Sequence, residues 1–188
     1  MRIIAGEYRG RALASVGKGD AGAHLRPTTD RVRESLFNVL MGGTYDDPIT
    51  GAHVLDLFAG TGALGLEALS RGAAHATFVD DGVKARSLLR QNIEICRAQG
   101  ISKIFRSDAR RIGKNKGQPC DLIFLDPPYG KGLGEQAIKA AIEGGWVATN
   151  ALVVWEESAE ITPPDSLDLL DQRKYGDTKI SLLRAARV

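Results

Sequence analysis

From residue 53 onward, stretches with the apolar pattern of a strand alternate with stretches that have the apolar spacing of a helix. Short apolar runs are each followed by a stretch with apolar residues at helical spacing, and the helical stretches end at glycine. The predicted strands are 53–58, 75–80, 103–107, 121–126 and 151–157, and the predicted helices are 61–72, 83–100 and 133–144. Strands that alternate with helices predict a parallel sheet covered on both faces.

The two ends of the chain depart from this alternation. Residues 26–40 predict a helix, because Thr28 or Thr29 can cap it and apolar residues recur at helical spacing. Residues 1–26 hold five glycines among short apolar pieces, which favours a small β-hairpin and a loop. Residues 167–188 offer two strand-like runs around a Gly-Asp turn, which predicts an antiparallel hairpin.

The predicted fold class is therefore α/β. We expect a single doubly wound Rossmann-like sheet that is mostly parallel, with an antiparallel C-terminal hairpin and a small N-terminal β-hairpin appendage. The predicted parts are a basic hairpin and loop over residues 1–26 and the main domain over residues 27–188.

Composition limits the class of protein. The 188 residues are 43% hydrophobic and 26% charged, as in ordinary globular domains. No apolar run approaches the roughly 20 residues of a membrane span, and no secretion signal is recognisable. Cys96 and Cys120 lack metal-binding spacing and are predicted to be buried free thiols. We expect a cytoplasmic monomer with no metal site and no membrane partner.

The net charge of +2 is unevenly distributed. Residues 1–33 contain seven Lys or Arg against three Asp or Glu, whereas acidic residues are in slight excess beyond them. A basic end can face a polyanion, or it can be a solvated surface, and charge alone favours neither alternative.

The first predicted strand leads into a glycine-rich turn. Asp56 lies in the strand, and Gly60 and Gly62 form a tight turn before a helix whose N–H groups point toward the same place. This arrangement favours a nucleotide-like ligand, and a purely structural turn is the alternative.

Acidic residues also follow the next two predicted strands. Asp80 ends the second strand, where an acid can accept hydrogen bonds from ribose hydroxyls, and Asp81 is the next candidate. Asp108 follows the third strand, where a carboxylate can accept a hydrogen bond from an adenine amine. One such Asp is more often a helix cap. Aspartates at three successive strand ends favour a ligand site.

The fourth predicted strand ends in the sequence DPPY, residues 126–129. The two prolines fix φ and remove two N–H donors, so the segment presents the Asp126 carboxylate and the Pro127 carbonyl as acceptors. Such acceptors fit the exocyclic amine of a nucleobase, with Tyr129 stacked on the base. A turn that only ends the strand is the alternative, and it requires neither the acid nor the aromatic ring.

These motifs resemble a known family. DPPY and DLFAGTG are similar to the amino-directed methyltransferases of the class I, S-adenosylmethionine-dependent fold. The stretches MRIIAGEYRGR, LRPTTDRVRESLFNVL and LDLFAGTGALGLEALSRGA resemble the bacterial 16S ribosomal RNA guanine-N2 methyltransferases, the small-subunit rRNA methyltransferase D family. The resemblance runs from Met1 to the final hairpin. One departure is Asp80, where the family leads us to expect Glu.

The resemblance implies a cofactor, a partner and a set of site residues. The cofactor is S-adenosylmethionine, with S-adenosylhomocysteine as product, and the partner is 16S rRNA in an assembled or partly assembled small ribosomal subunit. The predicted catalytic residues are Asp126, Pro127 and Tyr129. The predicted cofactor-binding residues are Asp56, Phe58, Gly60, Gly62, Asp80, Asp81, Asp108 and Ala109. The predicted RNA-binding residues are Arg2, Arg9, Arg11 and Lys18.

Four other functions compete with this interpretation. A DNA adenine-N6 methyltransferase would use DPPY on another amine, but this chain has little room for a separate base-reading domain. A protein glutamine methyltransferase would favour Asn at position 126. An NAD(P)-binding oxidoreductase explains the glycine turn but gives DPPY no role. A non-catalytic RNA-binding module does not require the set of acids and glycines.

Overall fold

The computed structural model describes residues 1–16 and 28–186. The helices are α1 Asp30–Leu40, α2 Ala63–Ser70, α3 Val83–Ile95 and α4 Leu133–Glu143, with 3₁₀ helices at Gln99–Ile101 and Ala109–Arg111. The strands are β1 His53–Leu57, β2 His75–Val79, β3 Ser102–Phe105, β4 Cys120–Leu125, β5 Val147–Glu157, β6 Leu167–Tyr175 and β7 Thr178–Ala185.

These strands form a single sheet in the order β3-β2-β1-β4-β5-β7-β6. Strands β1 to β5 pair in parallel, whereas β7 is antiparallel to both β5 and β6. This confirms the predicted doubly wound sheet with its antiparallel C-terminal hairpin. The strand order reverses between β1 and β4, and such switch points open a crevice at the carboxyl ends of the strands.

Alternating residues of the strands build two apolar layers. In β4, Phe124 belongs to the layer that includes helices α1, α2 and α3, and Leu125 belongs to the layer of α4. Trp155 of β5 is fully buried in the α4 layer. Cys96 and Cys120 are free and buried, as predicted. No helix in the described ranges is long and apolar enough to span a bilayer.

Two helix boundaries show how local sequence ends or starts an element. Thr29 caps α1, because its hydroxyl accepts a hydrogen bond from the Val32 N–H at 3.2 Å, which confirms one of the two predicted caps. Helix α3 stops at Ile95, short of the predicted residue 100, and Arg97 just beyond it has a positive φ of 53°. A positive φ at a non-glycine residue is incompatible with a continuing α-helix.

Residues 1–16, here called the N-terminal segment, pack against the helices. Arg2 and Ala12 form a single antiparallel bridge. Ile3, Tyr8 and Leu13 are buried in the layer of α1, α2 and α3. The predicted division between residues 26 and 27 lies outside the described residues and stays a prediction.

Buried polar side chains fix the backbone of the N-terminal segment. The carboxylate of Glu67 accepts hydrogen bonds from the N–H groups of Ile4 and Ala5 at 2.8 and 3.1 Å. The amide of Asn92 bonds both the N–H and the carbonyl of Ala14, at 2.6 and 3.0 Å. Because the Asn92 amide also donates to the Thr61 carbonyl at 2.8 Å, it joins this segment to the glycine turn.

Candidate active site

The glycine turn lies between β1 and α2. Asp56 is only 2% exposed, and its Oδ2 accepts a hydrogen bond from the Gly65 N–H in the first turn of α2 at 3.1 Å. Gly62 has a φ of 81°, and a Cβ built on it would lie 2.4 Å from Cδ1 of Leu89. The position therefore requires glycine both for its backbone conformation and for the space around it.

We expect Gly62→Ala to lower the free energy of unfolding by about 1–3 kcal/mol, since the added methyl group overpacks the contact with Leu89 and the backbone is left-handed. Gly100→Ala is the matched control, because nothing lies within 4 Å of a Cβ at Gly100. Urea denaturation of the two variants measures the difference. Equal stabilities would contradict the steric argument.

Asp80 connects this turn to the end of β2. Its Oδ2 accepts a hydrogen bond from the Gly60 N–H at 2.9 Å, and its Oδ1 accepts one from the Gly82 N–H at 2.8 Å. Burial raises the pKa of Asp80, although these two hydrogen bonds oppose the shift. Each oxygen retains a lone pair that can accept a hydrogen bond from a ligand hydroxyl.

A cavity of about 150 Å³ opens at the carboxyl ends of β1, β2 and β3. It brings together five of the eight predicted cofactor residues, and the other three form the adjoining strand end and turn. Phe58, at its edge, has a positive φ of 58°, a strained conformation for a residue other than glycine. The lining residues are Phe58, Val79, Asp80, Asp81, Ser107, Asp108, Ala109, Arg110, Pro128 and Leu133.

Asp108 has two roles in the structure. Its Oδ1 caps the short helix Ala109–Arg111 by accepting from the Arg110 N–H at 2.9 Å. Both carboxylate oxygens also bond the Arg110 guanidinium, at 3.0 and 2.7 Å, and this ion pair lowers the pKa of Asp108. Asp108 is therefore a helix cap, the alternative role stated in the sequence analysis, and it also borders the cavity.

A larger depression of about 530 Å³ lies at the opposite edge of the sheet. Tyr45, Asp121 and Arg184 are among its lining residues, and Asp121 is at the start of β4, whereas Asp126 follows its end. None of the predicted site residues lines it.

The DPPY segment follows β4 on the other side of the switch point. Asp126 lies at intermediate depth next to Glu156 of β5, because the register pairs Leu125 with Trp155. The hydroxyls of Tyr129 and Thr178 lie 3.2 Å apart, so the hairpin of β6 and β7 contacts the predicted base-stacking ring.

Burial shapes the electrostatics of this crevice. It raises the pKa of Asp126 and of Asp56 well above the usual carboxyl range, and it also raises that of Glu156. Glu156 adds to the shift of Asp126 as a close negative neighbour. Burial also raises the pKa of Tyr129, to about 12. A crevice of buried, closely spaced carboxyl groups favours a positively charged ligand.

Comparison with known proteins decides the family. The sequence model of the family described as conserved hypothetical protein 95 matches residues 1–184. The Ribosomal RNA small subunit methyltransferase D of Escherichia coli strain K12 is 42% identical over 160 residues, which are 85% of this chain and 76% of that protein. The chain belongs to the small-subunit rRNA methyltransferase D family.

Further members and a solved structure agree with this assignment. The methyltransferase D of Haemophilus influenzae is 36% identical over 181 residues, which are 94% of this chain and 89% of that protein. The solved structure of the Escherichia coli protein yhhF superposes with a TM-score of 0.84 at 39% identity, and the match covers 100% of this chain and 99% of that one.

Sequence reasoning missed three residues of this methyltransferase's crevice. Glu156 lies next to Asp126 in the register of β4 and β5, Glu157 accepts a hydrogen bond from the Gly130 N–H at 3.0 Å, and Thr28 donates to Oε2 of Glu156 at 3.2 Å. The signal for the two glutamates was present, since VVWEE is a buried strand that ends in carboxylates, as the fourth strand does. Thr28 was predicted as a possible helix cap and, from the family resemblance, as one of several residues between the N-terminal piece and the cofactor crevice.

The predicted RNA-binding arginines of this methyltransferase lie on the N-terminal segment. Arg2 donates to the Gly10 carbonyl at 2.7 Å, and Arg11 donates to the Ile95 carbonyl at 3.2 Å. Arg9 is exposed in a turn next to Glu7, whose N–H bonds the carbonyl of Ser70, the last residue of α2. This turn therefore contacts the end of α2 that is remote from the glycine turn. Lys18 lies outside the described residues.

A second basic surface borders the cavity directly. Residues 103–116 carry six Lys or Arg against one Asp, in a chain whose net charge is only +2. All six basic side chains are exposed: Lys103, Arg106, Arg110, Arg111, Lys114 and Lys116. None of these six residues is among the predicted RNA-binding residues.

Proposed function

We propose that this enzyme transfers a methyl group from S-adenosylmethionine to the exocyclic N2 amine of a guanine in 16S rRNA. The proposed substrate is an assembled or partly assembled small ribosomal subunit, and the enzyme acts as a monomer in the cytoplasm. The observation that carries the proposal is that the DPPY segment, with Asp126 and Pro127, directly follows β4 at the switch point of a methyltransferase sheet.

The residues of the crevice fit the proposed cofactor. S-adenosylmethionine carries a sulfonium and an ammonium group, and the carboxyls of Asp56 and Asp80 favour positive charge. Asp80, with Asp81 beside it, would accept the ribose hydroxyls, and Asp108 with Ala109 would border the adenine. When bound, the cofactor supplies a methyl group already activated by the sulfonium.

The protein's own contribution is then mainly positioning. Hydrogen bonds from the two N–H groups of the target amine to Asp126 and to the Pro127 carbonyl would hold the nitrogen lone pair toward the methyl group. The same acceptors would stabilise the positive charge that develops on the nitrogen. Tyr129 would stack on the extruded base, and its contact with Thr178 would fix the plane of the ring.

The RNA backbone has two candidate surfaces on this chain. The predicted residues Arg2, Arg9, Arg11 and Lys18 supply one. The basic segment 103–116 supplies another and is closer to the cavity, since Arg110 lines it. Phosphate contacts of this kind position the RNA without reading its sequence, so the choice of guanine would depend on the target pocket.

We expect Tyr129→Ala to lower kcat/KM for small subunits by about 5-fold to 150-fold, the equivalent of the roughly 1–3 kcal/mol that one base–aromatic stack provides. Tyr129→Phe keeps the ring and loses the hydroxyl, including its contact with Thr178, so it should retain most of the activity. Steady-state transfer of labelled methyl groups compares the two variants. A loss in Tyr129→Phe as large as that in Tyr129→Ala would refute the stacking role.

The proposed function is tested with small ribosomal subunits that lack modification. Labelled S-adenosylmethionine is supplied with the wild-type enzyme, and the nucleosides are identified by mass spectrometry. N2-methylguanosine in 16S rRNA is the expected product. N6-methyladenine in duplex DNA, with no transfer to subunits or free RNA, would instead support the DNA methyltransferase.

A further inference from the structure

Asn92 of α3 is a fully buried amide that contacts two separate parts of the chain. Its Oδ1 accepts a hydrogen bond from the Ala14 N–H at 2.6 Å, and its Nδ2 donates to the Ala14 carbonyl at 3.0 Å. The same Nδ2 donates to the Thr61 carbonyl at 2.8 Å. A side-chain amide has two N–H donors, so both are in use. One planar group therefore bonds the N-terminal segment and the glycine turn at the same time.

The two bonds to Ala14 fix the orientation of this amide. Ala14 presents a donor and an acceptor, so the amide must place its oxygen at the N–H and its nitrogen at the carbonyl. The flipped amide would bring two donors together and two acceptors together. With the plane and direction of the amide set in this way, its second N–H is aimed at the Thr61 carbonyl. Docking of Ala14 thus orients the donor that the glycine turn receives.

The Thr61 carbonyl depends on this donor. It lies between the two glycines of the turn, both of which have positive φ values. In a regular helix its partner would be the N–H four residues later, which belongs to Gly65. That N–H is bonded to the carboxylate of Asp56 at 3.1 Å. Asn92 therefore supplies the hydrogen bond that the helix does not, and it helps to fix the backbone of the turn.

The N-terminal segment is an element that can dock and undock. Within the described residues its only bridge is internal, between Arg2 and Ala12, and it adds no strand to the sheet. Side chains of α1, α2 and α3 bond its backbone, among them Glu67, Ser70 and Asn92. Elements outside the sheet that are held by few contacts open at a lower free energy than core strands do. The docked and undocked segment are the two states that the Asn92 amide distinguishes.

We propose that Asn92 is a positioning residue that couples docking of the N-terminal segment to binding of S-adenosylmethionine. The inference rests on the proposed function, because it takes the glycine turn as part of the cofactor site. With Ala14 docked, the oriented amide holds the Thr61 carbonyl, and the turn keeps the conformation seen in the structure. With Ala14 undocked, the amide loses the contacts that orient it. Because linkage is reciprocal, bound cofactor favours the docked segment by the same factor.

Asn92→Asp tests the coupling at its centre. An aspartate can still accept from the Ala14 N–H, but it cannot donate to both carbonyls. Calorimetry should show S-adenosylmethionine bound about tenfold more weakly, within the usual range of coupling between two sites. Gln91→Asp, an exposed substitution next to it on α3, is the matched control and should bind as the wild type does.

Kinetics separate positioning of the cofactor turn from a role in the reaction itself. At saturating S-adenosylmethionine, Asn92→Asp should transfer methyl groups to small subunits at a rate within about twofold of the wild type, because Asn92 contacts no reacting group. The KM for the cofactor should rise about tenfold. A general loss of stability would not produce this separation of KM from kcat.

Hydrogen exchange tests the coupling in the wild type without turnover. Saturating S-adenosylmethionine should slow exchange of the Ala14 amide by about fivefold or more, because bound cofactor favours the docked segment. The Thr50 amide is the control and should be unaffected, since it bonds Asp47 at 3.1 Å beside the depression at the opposite edge of the sheet. In Asn92→Asp, the cofactor should leave exchange of the Ala14 amide unchanged.

A second variant tests the contact from the side of the N-terminal segment. Ala14→Pro removes the N–H donor and leaves Asn92 in place, and it should also weaken cofactor binding about tenfold. It decides the question together with the exchange experiment if Asn92→Asp does not fold. Wild-type cofactor affinity in either folded variant would overturn the coupling, as would an Ala14 amide whose exchange is the same with and without bound cofactor. A wild type that binds no S-adenosylmethionine would instead defeat the proposed function.

Discussion

Asp126→Ala is expected to lower the single-turnover rate of methyl transfer by about 10²–10³, the usual loss when one preorganised hydrogen-bonding group is removed from a transition state. The carboxyl is the acceptor at the end of β4 that would orient the target amine, and Pro127 alone cannot hold both of its N–H groups. Affinity for S-adenosylmethionine should change little. Labelled-methyl transfer to small subunits and calorimetry of cofactor binding measure the two effects.

The control for this prediction is Asp168→Ala, which removes an exposed carboxylate from β6 and should leave the rate unchanged. Asp126→Asn adds a readout that needs no substrate. Since burial raises the pKa of Asp126, the native state binds its proton more tightly than the unfolded state does. The wild type therefore loses stability as pH rises above the ordinary carboxyl range.

Because asparagine cannot ionise, Asp126→Asn should unfold at a higher temperature than the wild type at pH 7, and the difference should shrink toward pH 4. Thermal denaturation at the two pH values measures this. An Asp126→Ala enzyme with a wild-type rate, or an Asp126→Asn protein less stable than the wild type at pH 7, would contradict the assignment of a strained, functional carboxyl.

Glu67→Ala is expected to lower the free energy of unfolding by about 3–5 kcal/mol, the range for breaking a buried ionic network. The Glu67 side chain is fully buried, bonds Arg71 at 3.0 Å and accepts from two N–H groups of the N-terminal segment. Its Oε1 also lies 4.0 Å from Nε of Arg33, which is fully buried too. Removal of the carboxylate leaves Arg33 with Asp30, whose Oδ1 lies 2.6 Å from Nη2, as its remaining acidic partner.

Urea denaturation measures this loss, and Glu143→Ala is the matched control. Glu143 is also a helical glutamate that faces a basic residue, Lys139, at 4.0 Å, but both side chains are largely exposed. Exposed pairs of this kind contribute about 0–1 kcal/mol. A loss of less than about 1 kcal/mol in Glu67→Ala would show that the buried network does not hold the N-terminal segment.

The parallel sheet could be predicted from the sequence because its signals are local. Each strand is a short apolar run, and a glycine closes each helical stretch, as at Gly72 and Gly144. Acidic residues at the ends of the predicted strands indicated the edge of the sheet at which Phe58, Asp80 and Asp108 border one cavity. Once the strands are parallel, this edge follows from the topology.

Long-range contacts could not be predicted in the same way. In the sequence, Glu67 has no feature that distinguishes it from an ordinary helical glutamate. Its hydrogen-bonding partners Ile4 and Ala5 lie more than 60 positions earlier in the chain. Glu156 becomes a neighbour of Asp126 only through the register of β4 and β5, which the apolar pattern does not specify. The docking of the N-terminal segment on the helices could not be predicted, because its apolar residues are few and separated by glycines.

The bridge between Ala14 and Asn92 constrains the order of folding during synthesis. The two residues are 78 positions apart, so the N-terminal segment leaves the ribosome long before its partner exists. At about 5–20 residues per second the delay is roughly 4–16 s. During that interval the side chains of Ile3, Tyr8 and Leu13 have no docking surface, so this segment completes its packing late in folding.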